Sequence, residues 1–272
     1  MRRAEAADVP AIVAYLEGRM DSAMFPLGNL LDHGLGEDHP FAMTFWLEGE
    51  PLACLLGQTA HGVLLPVLDD PGAAVAADIR PPTGILGPTA QVRALESVFS
   101  LADAPRTLDH DEVHLSLALA DLIVPDGPGV LRPMTEAPEE VLRGWMADYH
   151  RVALQTPEHL VHDNVDAWWA RATREDTHRV LMDGTTPLAM TGVNARAPRM
   201  VQLGGVYTPP DLRGCGHARR AVALDLLAAR ERGVTGATLF ASGAAAVRAY
   251  EAVGFRPVGS FTLLLFDGPQ HV

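Results

Sequence analysis

The sequence predicts an α/β fold in two similar halves, each a mixed sheet flanked by helices. Three observations carry the prediction. Strand and helix patterns alternate through the second half, and a fainter version of the same order runs through the first. Between them lies Ile123-Val124-Pro125-Asp126-Gly127-Pro128-Gly129, where Pro and Gly crowd a stretch that continues neither helix nor strand. The expected domains are therefore 1–127 and 128–272, an internal duplication, with one continuous domain as the alternative.

In the second half, Val130–Pro133 reads as a short strand. Pro138–Leu154 reads as a helix, because a proline sits near its start and Glu139 and Glu140 occupy the first turn. A further helix is expected over Val165–Arg174, then a strand at Arg179–Met182, the turn Asp183–Thr186 and a strand at Pro187–Asn194. Met200–Tyr207 reads as the next strand, and His217–Arg232 as a helix on the spacing of Val222, Leu226 and Leu227, closed by Gly233. A buried strand at Ala237–Ala241, a helix at Gly243–Val253 ended by Gly254, and a strand at Phe261–Phe266 complete the half. In the first half, a helix over Asp8–Met20, an apolar segment at Phe25–Leu31, and strands at Phe41–Leu47 and Pro51–Gln58 around Glu48-Gly49-Glu50 mirror the start of that order. The stretch matched to the later glycine loop is Ile85-Leu86-Gly87-Pro88-Thr89.

A formal net charge of −13 argues against nucleic acid as a partner, because such binding needs many Lys and Arg side chains on phosphates. Arg213, Arg219 and Arg220 form one basic knot suited to a small anion. No stretch approaches the ~18 uninterrupted apolar residues of a membrane span. Glu5, Asp8 and Glu17 interrupt any secretory apolar region at the N-terminus. Cys54 and Cys215 suggest neither a disulfide framework nor a metal site, and a reducing, cytoplasmic location is expected.

The chemistry concentrates in Gly204-Gly205-Val206-Tyr207-Thr208-Pro209-Pro210-Asp211-Leu212-Arg213-Gly214-Cys215-Gly216-His217-Ala218, between a strand and a helix. Glycines at 214 and 216 permit a tight turn with its N–H groups aimed inward, and the start of the helix adds positive potential for a phosphate. A glycine-rich turn before a helix is by itself most often only a turn.

With Arg213, Gly216 and Ala218 in the pattern Arg/Gln-x-x-Gly-x-Gly/Ala, this half resembles the GCN5-related N-acetyltransferase (GNAT) superfamily. The resemblance continues through Ala246, Tyr250, Gly254 and Phe255, which match Asn-x-x-Ala-x-x-x-Tyr-x-x-x-Gly-Phe apart from Gly243 in place of Asn. It covers 130–272, with the first half as a degenerate copy, and it implies tandem domains with twisted, mostly antiparallel mixed sheets. It also implies acetyl-CoA as co-substrate and transfer of its acetyl group to a primary amine of a small molecule or peptide. In that picture backbone groups of Val206 and Tyr207 hold the pantetheine arm as an added strand. The loop Arg213, Gly214, Cys215, Gly216, His217 and Ala218 takes the pyrophosphate, and Tyr250 protonates the leaving thiolate.

Transfer in the family is direct, so Cys215 is not assigned a covalent role although a helix N-terminus favours thiolates. No general base is visible. Glu158, Asp163 and His178 are available, each expected as a solvated surface group, and Trp168-Trp169 could line an acceptor pocket. Two other functions fit the same residues: an acyltransferase using another acyl-CoA donor, and a non-catalytic CoA-binding sensor or scaffold.

Overall fold

A computed structural model describes residues 1–271, apart from the side chains of 75 and 76; Val272, the end of the expected second domain, lies outside them. The chain divides into two compact units. One comprises Met1–Val113 with the residues from Gly259 onward, and the other His114–Val258. The expected join at 123–129 thus falls inside the second unit, and the final strand segment packs with the first.

The first unit contains β1 (Arg2–Arg3), α1 (Val9–Glu17), α2 (Met20–His33), β2 (Met43–Glu48), β3 (Cys54–Thr59), β4 (Val63–Val67), β5 (Gly84–Pro88), α3 (Thr89–Val98) and the start of β6 (Arg106–Ala118). β1 to β4 form an antiparallel meander, and β5 joins β4 in parallel. The second unit contains β7 (Val130–Pro133), α4 (Glu139–Val152), α5 (Glu158–Glu175), β8 (His178–Asp183), β9 (Thr186–Ala197), β10 (Met200–Tyr207), α6 (His217–Glu231), β11 (Gly236–Ala241), α7 (Ala244–Glu251) and the start of β12 (Arg256–Phe266). Here too four strands, β7 to β10, run antiparallel in sequence order, and β11 joins β10 in parallel. The later part of β12, Phe261–Leu265, pairs antiparallel with β5 in the first unit.

The two strand patterns are the same, and they differ in how the parallel strand is reached. A parallel neighbour needs a crossover. In the second unit the crossover is α6; in the first it is an irregular stretch holding only a 3-10 helix, Pro71–Ala76, whose start is capped by Asp70 accepting from the Gly72 N–H at 2.9 Å. This corrects the match made from sequence: Ile85–Thr89 lies in β5 and the start of α3, which correspond to β11 and α7, whereas the counterpart of the glycine loop lies between β4 and β5.

Alternation along β8 and β9 assigns the two faces of the second sheet. Val180, Met182 and Met190 pack with Leu142, Trp145 and Met146 of α4 and Val161 and Val165 of α5. Leu181 and Ala189 point the other way, onto Ala221 of α6. α4 presents its apolar residues at 142, 145 and 146, one stripe of a helix. α5 starts at Glu158, seven residues before the expected Val165, behind Pro157, and ends at Asp176 in the left-handed conformation. No helix among the described residues is long and apolar enough to cross a membrane.

Candidate active site

The site begins where two strands part. β10 pairs with β11 from Met200↔Gly236 to Leu203↔Leu239, after which β10 runs on to Tyr207 and β11 to Ala241. On its other edge β10 pairs with β9 at Gly204↔Gly192 and again at Tyr207↔Met190, so β10 carries an extra residue there. That is a bulge, which bends a strand and re-aims its backbone groups. Gly205 sits in it at φ 63°, a conformation open to glycine. Among the described pairings, Gly204–Tyr207 have no strand partner on the β11 side, which leaves backbone groups of Val206 and Tyr207 for an extended ligand.

The loop leads from there into α6. Gly214 has φ 80° and Gly216 φ 83°, and Gly216 is the residue from which α6 starts. Gly216 has no capping side chain, so the first N–H groups of α6 have no side-chain acceptor from that position. The Arg213 guanidinium folds back, its Nε donating to the Thr208 carbonyl at 3.0 Å and its Cζ 5.9 Å from the centroid of the Tyr207 ring. Cys215 is an exposed thiol with Sγ 3.8 Å from the Arg213 carbonyl. His217 and Ala218 form the first turn of α6.

The expected basic knot is divided. Arg220 turns away from the loop and donates to the carbonyls of Pro125, Pro128 and Gly129 at 2.6, 3.0 and 3.3 Å, so it secures the Pro/Gly stretch and is not available to an anion. Arg219 lies against Gly216, where an added Cβ would come within 2.8 Å of its Nε.

Tyr250 lies near the end of α7, its ring edge-on to Phe255 at 6.0 Å. Its carbonyl accepts from Val253 N at 2.9 Å and Phe255 N at 3.2 Å, which turns the chain sharply. Gly254, at φ 109°, passes so close to the Asp121 carbonyl that a Cβ would come within 2.7 Å of it, and Phe255 is buried. The Gly-Phe pair is thus explained by packing. Gly243, in place of the family's Asn, precedes α7 at φ 80°, ψ 151°, a conformation that an asparagine would hold only under strain.

The three groups weighed as bases are differently placed. Glu158 takes a bidentate contact from Arg151 at 2.8 and 2.9 Å, which holds its carboxyl below the usual range. Asp163 is exposed on α5 beside His162. His178, expected at the surface, is a correction: it is 1% exposed, because Gly192 and Gly205 leave room for its ring. Trp168 Nε1–H donates to its Nε2 at 3.1 Å, so the ring proton sits on Nδ1 and is shared with Thr177 Oγ1 at 2.9 Å. Burial, reinforced by Arg171, Arg179 and Arg196, pushes its pKa down to about 3. A neutral imidazole with both nitrogens occupied has no capacity to accept a substrate proton.

Asp148 carries no signal of its own in the sequence. This α4 carboxylate accepts from the Tyr207 hydroxyl at 3.1 Å, and Trp145 packs its ring 5.8 Å from the Tyr207 ring. Burial, followed by the hydrogen bond to Asp148, raises the Tyr207 pKa. Trp168 and Trp169 meet edge-to-face at 5.9 Å and both pack against the α4/α5 core, with the Arg143 guanidinium 5.1 Å over Trp169. No group of three or more His, Cys, Asp or Glu among the described residues could hold a metal ion.

Among solved structures, the chain is similar to a Drosophila protein at 12% identity and TM-score 0.63, covering 97% of each chain. It is also similar to a GCN5-related N-acetyltransferase from Sphaerobacter thermophilus at 14% identity and TM-score 0.57, covering 99% of this chain and 96% of that one. A tandem GNAT protein from the clavulanic acid biosynthesis pathway aligns at 13% identity and TM-score 0.51, covering 98% and 97%. At such identities the likeness speaks for the fold. No curated protein sequence matches the chain significantly. The model of the acetyltransferase (GNAT) family matches residues 139–255, which contain the bulged strand, the glycine loop and the helix of Tyr250. Residues 139–255 therefore form a domain of the acetyltransferase (GNAT) family.

Proposed function

We propose that the protein transfers the acetyl group of acetyl-CoA to a primary amine of a small molecule or peptide by direct attack in a ternary complex. The observation that carries this reading is the parting of β10 and β11 after Leu203 and Leu239, next to two left-handed glycines that open α6. A pantetheine arm has amides that suit the unpaired β10 edge at Val206 and Tyr207. The N–H groups from Gly214 to Ala218, with the α6 dipole behind them, suit the pyrophosphate. Arg213 shapes the loop through Thr208 as well as adding positive charge. Fixing the thioester beside the amine supplies much of the acceleration through positioning. The amine nitrogen forms the new bond to the carbonyl carbon, the tetrahedral oxyanion collapses, and the C–S bond breaks. Tyr250 gives its proton to the departing thiolate, and the amine's proton leaves to solvent or a carboxylate.

On this reading 128–272 carry the cofactor-binding residues and 1–127 a copy without the loop. The 3-10 crossover in place of a counterpart to α6 supports that division. The two free thiols fit a reducing, cytoplasmic setting. Calorimetry with acetyl-CoA, and the same titration on Arg213→Glu, tests the reading. Single-site binding weakened by the charge reversal is expected; absent binding, or equal binding by both proteins, would reject it. Turnover of an amine by the pure protein excludes a sensor or scaffold, and a panel of acyl-CoA donors fixes the acyl chain.

A further inference from the structure

We infer that Arg219, rather than the signature Arg213, is the guanidinium that contacts the diphosphate. It thereby favours a free coenzyme A thioester over a phosphopantetheine thioester with a single phosphate, such as one carried on a protein. The inference rests on the proposed acetyl transfer.

The three arginines beside the glycine loop have different tasks. Arg213 spends its Nε on the Thr208 carbonyl and leans toward the Tyr207 ring, so it braces the turn out of β10. Arg220 spends all three guanidinium nitrogens on the carbonyls of Pro125, Pro128 and Gly129. Arg219 is exposed and has no acceptor among the described residues. Its guanidinium lies on Gly216, where a Cβ would come within 2.8 Å of Nε, 3.0 Å of Nη2 and 3.2 Å of Cζ. Gly216 is the residue from which α6 starts, and Arg219 is in the first turn, beside N–H groups that receive no acceptor from a capping side chain. That turn contains no acidic residue. A helix dipole favours anions at this end and disfavours cations, so an unpaired guanidinium here works against the helix. An anion held at the same mouth reverses the sign: amides, dipole and Arg219 then all face one charge. The planar fork of an arginine suits two phosphate oxygens at once, and a diphosphate offers more of them than a single phosphate does.

Calorimetric titration without acceptor amine, on wild type, Arg219→Gln and Arg219→Lys, tests this with acetyl-CoA, acetyl-dephospho-CoA and S-acetyl-4′-phosphopantetheine. Arg219→Gln should weaken acetyl-CoA and acetyl-dephospho-CoA alike, by about tenfold, and the phosphopantetheine thioester by about threefold or less. Arg219→Lys should recover part of the loss, and added salt should narrow the gap between wild type and Arg219→Gln. Arg219→Gln should melt no lower than wild type, because it removes a cation from the positive end of α6. Equal affinity of wild type and Arg219→Gln for acetyl-CoA would overturn the inference alone. So would a loss absent with acetyl-dephospho-CoA, which would move Arg219 to the 3′-phosphate, a loss as large with the phosphopantetheine thioester, or a lower melting temperature, which would make Arg219 a brace like Arg220. Failure of the wild type to bind acetyl-CoA would overturn the reading beneath it.

Discussion

Asp225 and His178 are both buried in the second unit, and they should pull its stability in opposite directions as pH changes. Asp225, on α6, is 7% exposed, and its Oδ2 has no hydrogen-bond partner among the described residues. Burial pushes its pKa from the ordinary 3.8 up to about 6, against the lowering effect of Arg179, Arg232 and Arg196 and with a small push from Asp176. Between those values the folded state holds a proton that the unfolded state has lost. The stabilisation from this group is therefore fully present below 3.8 and lost as pH rises through 6. His178 falls from 6.5 to about 3, so over that range the unfolded state holds the extra proton, and acidification destabilises the fold. Each contributes about 1.4 kcal/mol per pH unit, and between pH 4 and 6 the two nearly cancel. Asp225→Asn should remove one side: relative to wild type, its unfolding free energy should fall by about 2 kcal/mol from pH 6 to 4. His178→Gln should rise by a similar amount over the same interval. Urea unfolding followed by tryptophan fluorescence reads mainly this unit, because three of the four tryptophans, Trp145, Trp168 and Trp169, lie within it. The slope is the readout, since Asn and Gln each bring a buried amide that shifts absolute stability. Variants that both keep the wild-type slope would refute the burial argument.

Three further outcomes follow from the site. Gly214→Ala, with open space around its Cβ but φ at 80°, should cost about 1–2 kcal/mol, and Gly216→Ala, crowding Arg219 as well, should also weaken acetyl-CoA binding about tenfold; calorimetry and thermal melts separate the two effects. Tyr250→Phe should bind acetyl-CoA normally yet lose about 100-fold in kcat, and full turnover at every pH would remove the proposed acid. Arg220→Ala leaves three carbonyls of the Pro/Gly stretch without their donor, so cleavage by protease near 125–129 should accelerate at unchanged acetyl-CoA affinity.

Much of the second unit was legible because its signals are local. β7 and β10 fall on the expected residues, and α6 begins and ends at glycine-marked positions. The first unit was less so. β4 contains Pro66, β5 is Gly-Ile-Leu-Gly-Pro, and the first half of β6 holds the polar run Asp109, His110, Asp111 and Glu112, so none shows the pattern of an ordinary strand. One edge of β5 is paired by Phe261–Leu265, far along the chain. His178 was misread for the same reason: its burial depends on Gly192 and Gly205, which only the β9–β10 register brings to its ring. Asp148 looks like any polar residue of an amphipathic helix until Tyr207 is placed against it. The motif around Tyr250, by contrast, was readable because Gly254 and Phe255 serve a tight turn that leaves its own signature.

The most direct test of the account is the electron density of a crystal soaked with acetyl-CoA. The account predicts the diphosphate oxygens within about 3 Å of the amide nitrogens of residues 214–218, with the pantetheine arm alongside 206 and 207. Density for the cofactor elsewhere on the chain, with the mouth of α6 vacant, would contradict it.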